Sequence, residues 1–171
     1  MIPTRNRPSF LRKSLESILN QSYRNIEIII SDNFPETNET EEYINKIQDD
    51  RISYIRQKKL IPMSDHWNLL VNKANGDFIC IYHDDDIYTE NIVETSVNCF
   101  LEKENVLLCH VANRHFKDEL EPTTDWEQST AEGAPKSCPG AIHLAGRFGQ
   151  WKYFWSDDCV MRGKQLEGII K

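Results

Sequence analysis

"DFICIYHDDDIY", residues 77–88, joins an apolar run of strand length to three consecutive carboxylates, Asp84, Asp85 and Asp86. Adjacent like charges disfavour one another's ionised form, and burying them without a partner costs several kcal/mol. Open water or a positive partner must therefore lie at the end of this run. The stretch reads as a strand covered on both faces whose carboxyl end opens onto a polar rim.

The neighbouring sequence repeats the pattern. "IEIIIS" (26–31) is a second continuous apolar run, followed by Asp32. Before it, Pro8 and Ser9 open a helix in which Leu11, Leu15, Ile18 and Leu19 recur at helical spacing. After it, Asn38 is placed to cap a second helix with Glu41 completing a capping box, and Tyr43, Ile44 and Ile47 form its inner face. "RISYIR" (51–56) predicts a short strand, and Ser64 a cap for a helix burying Trp67, Leu70, Val71 and Ala74, with Asn75 and Gly76 ending it. Beyond the acidic triplet, Thr89 caps a helix with Ile92, Val93, Val97, Phe100 and Leu101 facing inward, and "VLLCHVA" (106–112) is another strand.

Strands alternating with helices predict a mostly parallel sheet covered by helices on both faces, an α/β sandwich. In such sheets ligands bind beyond the carboxyl ends of the strands. Asp32 and the triplet Asp84 to Asp86 both fall on that rim. From residue 113 the alternation fades into polar, glycine-containing sequence, then an aromatic cluster (Phe148, Trp151, Tyr153, Phe154, Trp155) and a segment, 157–170, read as helical.

At 171 residues the chain is expected to form a single domain, with residues 1–112 as one half and 113–171 as the other. A net charge of -7 argues against broad nucleic-acid binding, which needs clustered Lys and Arg. No run reaches the roughly 18 apolar residues of a membrane span, and the N-terminus carries no long apolar leader, so a cytoplasmic protein is expected. The five cysteines show no Cys-x-x-Cys pair and are expected to be reduced, mostly buried thiols. The residues alone leave two readings of the triplet. It is a solvated turn whose charges favour the next helix's N-terminus, or it holds Mg2+ or Mn2+ with water and substrate phosphates completing the coordination.

The wider context resembles one family. "IPTRNRPSFLRKSLESILNQSYRNIEIIISDN" (2–33) is similar to the nucleotide-binding start of family 2 of the inverting glycosyltransferases, which have a GT-A-type fold. It supplies Pro3, Thr4, Asn6, Arg7, Ser17, Ile18, Gln21, Tyr23, Asn25, Glu27 and Asp32 in the family's order. "WNLLVNKANGDFICIYHDDDIY" (67–88) resembles the second signature, an Asn-bearing helix followed by the acidic metal motif.

The resemblance implies a nucleotide-sugar donor, with UDP-sugars favoured, and a divalent cation on Asp84 and Asp86. Pro3 and Thr4 would then lie along the nucleoside, Asp32 would meet the base, and Asp85 would contact ribose or assist the cation. Asn6, Arg7 and Asn68 would border the donor, with Arg7 either reaching phosphate or fixing its loop, and His66 stands near the same helix. The inverting base would come from an acidic pair opening a late helix, Asp158 or Asp157. Trp151 and Trp155 would line the acceptor side, and the acceptor would be a glycan or a lipid-linked sugar in cell-surface polysaccharide synthesis. The site of action would be the cytoplasm or the inner face of a membrane. Relative to the family pattern the first strand is short and the chain stops soon after the acidic pair, which implies a form truncated at both ends. The alternatives are a noncatalytic nucleotide- or glycan-binding descendant and another metal-dependent enzyme acting on phosphate.

Overall fold

A computed structural model describes residues 1–102, 108–110, 116–117, 121–122 and 159–162. The elements run β1 (Ile2–Thr4), α1 (Pro8–Leu19), β2 (Ile28–Asp32), α2 (Glu39–Lys46), β3 (Ile52–Arg56), α3 (Met63–Lys73), β4 (Phe78–Cys80), α4 (Ile92–Glu102), β5 (Leu108–His110), β6 (Phe116–Lys117), β7 (Glu121–Pro122) and β8 (Cys159–Arg162).

Every residue of β2 is buried: the apolar Ile28–Ile30 and, with them, Ser31 and Asp32. Successive side chains of a strand point to opposite faces. Ile28 and Ile30 pack with Leu11, Leu15 and Ile18 of α1 and Ile44 of α2. On the other face the Ser31 hydroxyl meets His66 Nε2 of α3 at 2.8 Å. Helices therefore cover both faces of this strand.

Strand order explains which helix lies where. β1, β2 and β3 are parallel neighbours, with Thr4, Asp32 and Arg56 in one register row. β4 lies along the other side of β1, where the Met1 amine donates to the Cys80 carbonyl at 2.8 Å and the Tyr82 amide donates to the Met1 carbonyl at 2.8 Å. The chain thus steps one way from β1 to β3, then returns over β1 and β2 to reach β4. Right-handed crossovers put that return helix, α3, on the face opposite α1 and α2. The architecture is the expected α/β one, mostly parallel, with β8 and the two-stranded β6–β7 pair as antiparallel exceptions.

β8 corrects the helical reading of 157–170 at Cys159–Arg162; the rest of that segment lies outside the described residues. Cys159–Arg162 is a strand lying between β4 and β5 and antiparallel to both. Smaller corrections have local causes. α3 begins at Met63 behind an extended Pro62, so Ser64 sits inside the helix and does not cap it. Asn38 holds the N-cap position of α2 without a side-chain cap bond, and Glu39, Glu41 and Glu42 favour that end through the helix dipole. Leu101 is 70% exposed, because Phe100, 1% exposed, takes the inward position and stacks on Phe78. Cys80 and Cys109 are free thiols, while Cys99 is disulfide-bonded, against the expectation of five reduced cysteines.

Glu27 ties the sheet at the end away from the rim. Its carboxylate accepts hydrogen bonds from the Asn75 amide, Asn75 Nδ2 and the Gly76 amide, joining the start of β2 to the turn before β4. Partial burial pulls its pKa up, but these hydrogen bonds outweigh that and hold it below the usual glutamate value. A depressed carboxylate stabilises the fold above its unfolded pKa and loses that contribution as pH falls through the folded value. Glu27→Gln, which keeps one acceptor oxygen, is expected to cost about 1–3 kcal/mol in urea unfolding at pH 7. The cost should shrink below pH 4.

Candidate active site at the carboxyl rim

The acidic turn after β4 is held from below by polar residues of α1 and of the turn that follows it. Ser14 and Ser17 lie one helical turn apart on α1, and Gln21 lies just beyond its C-cap. Ser14 Oγ donates to the His83 carbonyl at 2.9 Å, Ser17 Oγ accepts from the Tyr88 amide at 3.1 Å, and Gln21 donates to the Thr89 carbonyl at 2.8 Å while accepting from the Val93 amide at 3.1 Å. The Tyr88 hydroxyl closes the turn on itself by accepting from the His83 amide at 2.8 Å. From the α3 side, Trp67 packs its ring edge-on against His83. A merely solvated charge run needs no such scaffold.

The carboxylates then point where the rim needs them. Thr4 Oγ1 at the end of β1 donates to Asp84 Oδ2 at 2.6 Å. Arg7 Nη1 lies 3.5 Å from Asp84 Oδ1 and 3.0 Å from Asp85 Oδ2. Burial raises the Asp84 pKa, only partly offset by Thr4 and Arg7, and the Asp85 charge adds to the rise. The positive partner demanded by the triplet is thus Arg7 in this structure. Asp85 is exposed and Asp86 half-buried.

Asp32 sits in register beside Thr4 and is fully buried. Burial raises its pKa as well; the hydroxyls of Thr40 and Tyr54 and the charge of Arg56 pull the other way, and Asp84 adds to the rise. Tyr54 donates to Asp32 Oδ2 at 3.4 Å, while Oδ1 has no hydrogen-bond partner. Asn68 Oδ1, on α3, is likewise buried without a donor. Unpaired buried acceptors are expensive unless a ligand's N–H or O–H reaches them.

The β1–α1 loop links the two ends of this rim. Asn6 has a left-handed φ of 54° and pairs reciprocally with Glu36, donating from Nδ2 to Oε1 and accepting the Glu36 amide, each at 2.9 Å. One side of the β1–α1 loop is thus tied to the loop after β2, and the other, through Arg7, to the acidic turn after β4. Pro3 precedes Thr4 on β1 and pairs with Ser31.

Hard carboxylate oxygens that already converge on one positive group suit Mg2+ or Mn2+, with water and phosphate oxygens filling the remaining positions. Among the described residues no group of three or more His, Cys, Asp or Glu side chains could hold a metal ion alone. A cavity of about 470 Å³ lies at the other end of the strands, bordered by Met1, Glu27, Asn75 and Phe78, and includes none of these rim residues.

The model for "Glycosyl transferase family 2" matches residues 1–140. The chain belongs to this family. Among curated relatives of this family 2 chain, an uncharacterized glycosyltransferase of Rickettsia bellii is 32% identical over 120 residues, 70% of this chain and 17% of the relative. A protein of Campylobacter jejuni named GalNAc(5)-diNAcBac-PP-undecaprenol beta-1,3-glucosyltransferase is 30% identical over 136 residues, 71% of this chain and 44% of the relative. Staphylococcus aureus TarS 1-349, solved with UDP-GlcNAc, superposes with a TM-score of 0.67 at 16% identity, covering 98% of this chain and 45% of that one. The Pyrobaculum calidifontis mannosyltransferase PcManGT, solved with GDP-Man and Mn2+, gives a TM-score of 0.70 at 13% identity, covering 99% and 45%. The chain thus spans less than half the length of these relatives and structures.

The structure brings together Thr4, Arg7, Asp84 and Asp85, with Asp32 adjoining. His66 packs instead on the opposite face of β2, where burial keeps its pKa low and the Ser31 hydroxyl also accepts from Gln57 at 3.0 Å. Trp151, Trp155, Asp157 and Asp158 lie outside the described residues. Because Cys159–Arg162 is a strand, the residues that directly follow the acidic pair are not the late helix expected there. The sequence reading overlooked Ser14 and the role of the polar α1 residues; the signal was polar residues at helical spacing on an otherwise apolar face.

Proposed function

We propose that the protein is an inverting glycosyltransferase of GT-A type that transfers a sugar from a nucleoside-diphosphate sugar to an acceptor hydroxyl with a divalent cation. One observation carries the reading: the carboxyl ends of β1 and β4 meet through the 2.6 Å Thr4–Asp84 hydrogen bond, beside the buried, half-paired Asp32. In this reading Asp32 accepts a hydrogen bond from the base, Pro3 and Thr4 flank the nucleoside, and Asn6 and Asn68 border the donor. Asp84, with Asp85 or Asp86, would hold the cation, which as a Lewis acid offsets the negative charge developing on the departing diphosphate.

Inversion requires a base that removes the acceptor hydroxyl's proton as its oxygen attacks the anomeric carbon opposite the leaving group. Asp157 and Asp158 are the candidates. They immediately precede β8, whose first residue pairs with His110, the last of β5, and whose second pairs with Cys80, the last of β4. The sequence therefore enters that strand at the same rim as the acidic turn.

A UDP-sugar is the favoured donor, supported by TarS having been solved with UDP-GlcNAc and by an Escherichia coli relative, 33% identical over 97 residues, named as a UDP-Glc-dependent beta-1,3-glucosyltransferase. Both that relative and the C. jejuni one are named for undecaprenol-linked acceptors, which supports a lipid-linked or glycan acceptor here and action at the cytoplasmic face of a membrane. Among the described residues no helix is long and apolar enough to cross a membrane. Trp151 and Trp155 are the proposed acceptor-side aromatics.

Calorimetry with UDP, GDP and ADP, each with and without Mn2+, tests the reading. Cation-dependent binding of one diphosphate, of about 1–100 μM Kd, is expected, equivalent to roughly 5–8 kcal/mol. No binding of any of them at millimolar concentration would remove the proposal.

A further inference from the structure

Arg7 is the feature that the donor-site reading leaves unexplained. Its guanidinium already occupies the space between Asp84 and Asp85, sharing one nitrogen between Oδ1 of the first and Oδ2 of the second. Asp84's other oxygen is taken by Thr4. Two of the oxygens a divalent cation would use, Asp84 Oδ1 and Asp85 Oδ2, are therefore those that Arg7 holds, and two cations repel one another at such separations.

We infer that Arg7 is a placeholder, a positioning residue that neutralises the acidic turn when no donor is bound and passes to the donor's diphosphate when cation and nucleotide arrive. The inference rests on the donor-site reading proposed above. Three observations support it. The Arg7 side chain is 52% exposed, so it can leave its partners without displacing core groups. The backbone beneath it is anchored independently, by Asn6 to Glu36 on one side and by the Arg7 carbonyl accepting the Leu11 amide at 3.0 Å on the other. Finally, Asp84 is buried, and a buried carboxylate without a cationic partner is costly, so the acidic turn needs the Arg7 charge whenever no cation is bound. The side chain can therefore exchange while the loop stays in place.

The test is Mn2+ titration followed by the loss of its free-ion EPR signal, for wild type, Arg7→Gln and Arg7→Lys, with and without UDP. Without nucleotide, Arg7→Gln is expected to bind Mn2+ about two- to fivefold more tightly than wild type, the worth of an exposed ion pair removed as competitor. With Mn2+ present, the same variant should bind UDP about tenfold more weakly, having lost a charged phosphate contact. Arg7→Lys keeps the charge and should fall between the two; thermal melts of all three verify folding. Unchanged or weaker Mn2+ binding by a folded Arg7→Gln, with wild-type UDP binding intact, overturns the placeholder role alone. Tighter Mn2+ binding by Arg7→Gln in a protein that binds no nucleotide would keep the placeholder and remove the donor reading.

Discussion

Asp84→Asn is expected to lower sugar transfer by about 10²–10³-fold, the usual cost of removing one electrostatic stabiliser of a departing anion. The same substitution should leave the protein as stable as wild type or more so. The reason lies in the sign of its titration. A carboxyl whose folded pKa is raised stabilises the fold fully below its unfolded pKa and loses that contribution as pH rises through the folded value. At neutral pH the buried Asp84 carboxylate is therefore a net burden, only partly relieved by Thr4 and Arg7. Asn removes the charge and retains an oxygen for Thr4, so thermal melting should hold steady or rise while donor turnover collapses. A variant that loses melting temperature in step with activity would mark Asp84 as structural instead.

The second large effect concerns the base. Asp158→Asn or Asp157→Asn, in the full-length protein, is expected to reduce kcat by about 10²–10⁴-fold, the range for loss of a general base. Calorimetric affinity for the nucleoside diphosphate should stay within about twofold, since the base acts on the acceptor and not on the donor. One of the two substitutions should show this split and the other should not. Full turnover in both would move the search for the base elsewhere in the chain.

Much of the first half of the chain was legible from residue order. Continuous apolar runs such as Ile28–Ile30 are readable because a strand covered on both faces needs no polar alternation, and β2 is buried throughout. The rim followed from the alternation of strands and helices, and it holds Thr4, Asp32 and Asp84 together. What escaped the reading was set by tertiary contacts. The partner of the triplet was Arg7, a residue that sequence spacing gives no means of placing opposite Asp85. β8 is four residues, "CVMR", too short for its period to be told from a helical turn, and its place between β4 and β5 is fixed by strands some fifty and eighty positions earlier. Leu101 and Phe100 both fitted an inward helical face, and stacking on Phe78 decided between them.

The position of β8 bears on how the molecule is assembled during synthesis. β4 and β5 have no direct ladder with each other; the strand between them is the last of the described elements to leave the ribosome. Until it emerges, the nascent chain carries a gap in its sheet with unsatisfied edges on both sides, the kind of surface that recruits chaperones or stray strands. The β1–β2–β3 block has all its partners far earlier. Two-stage assembly is thus the expected order, with the β1–β2–β3 layer complete well before the sheet is sealed.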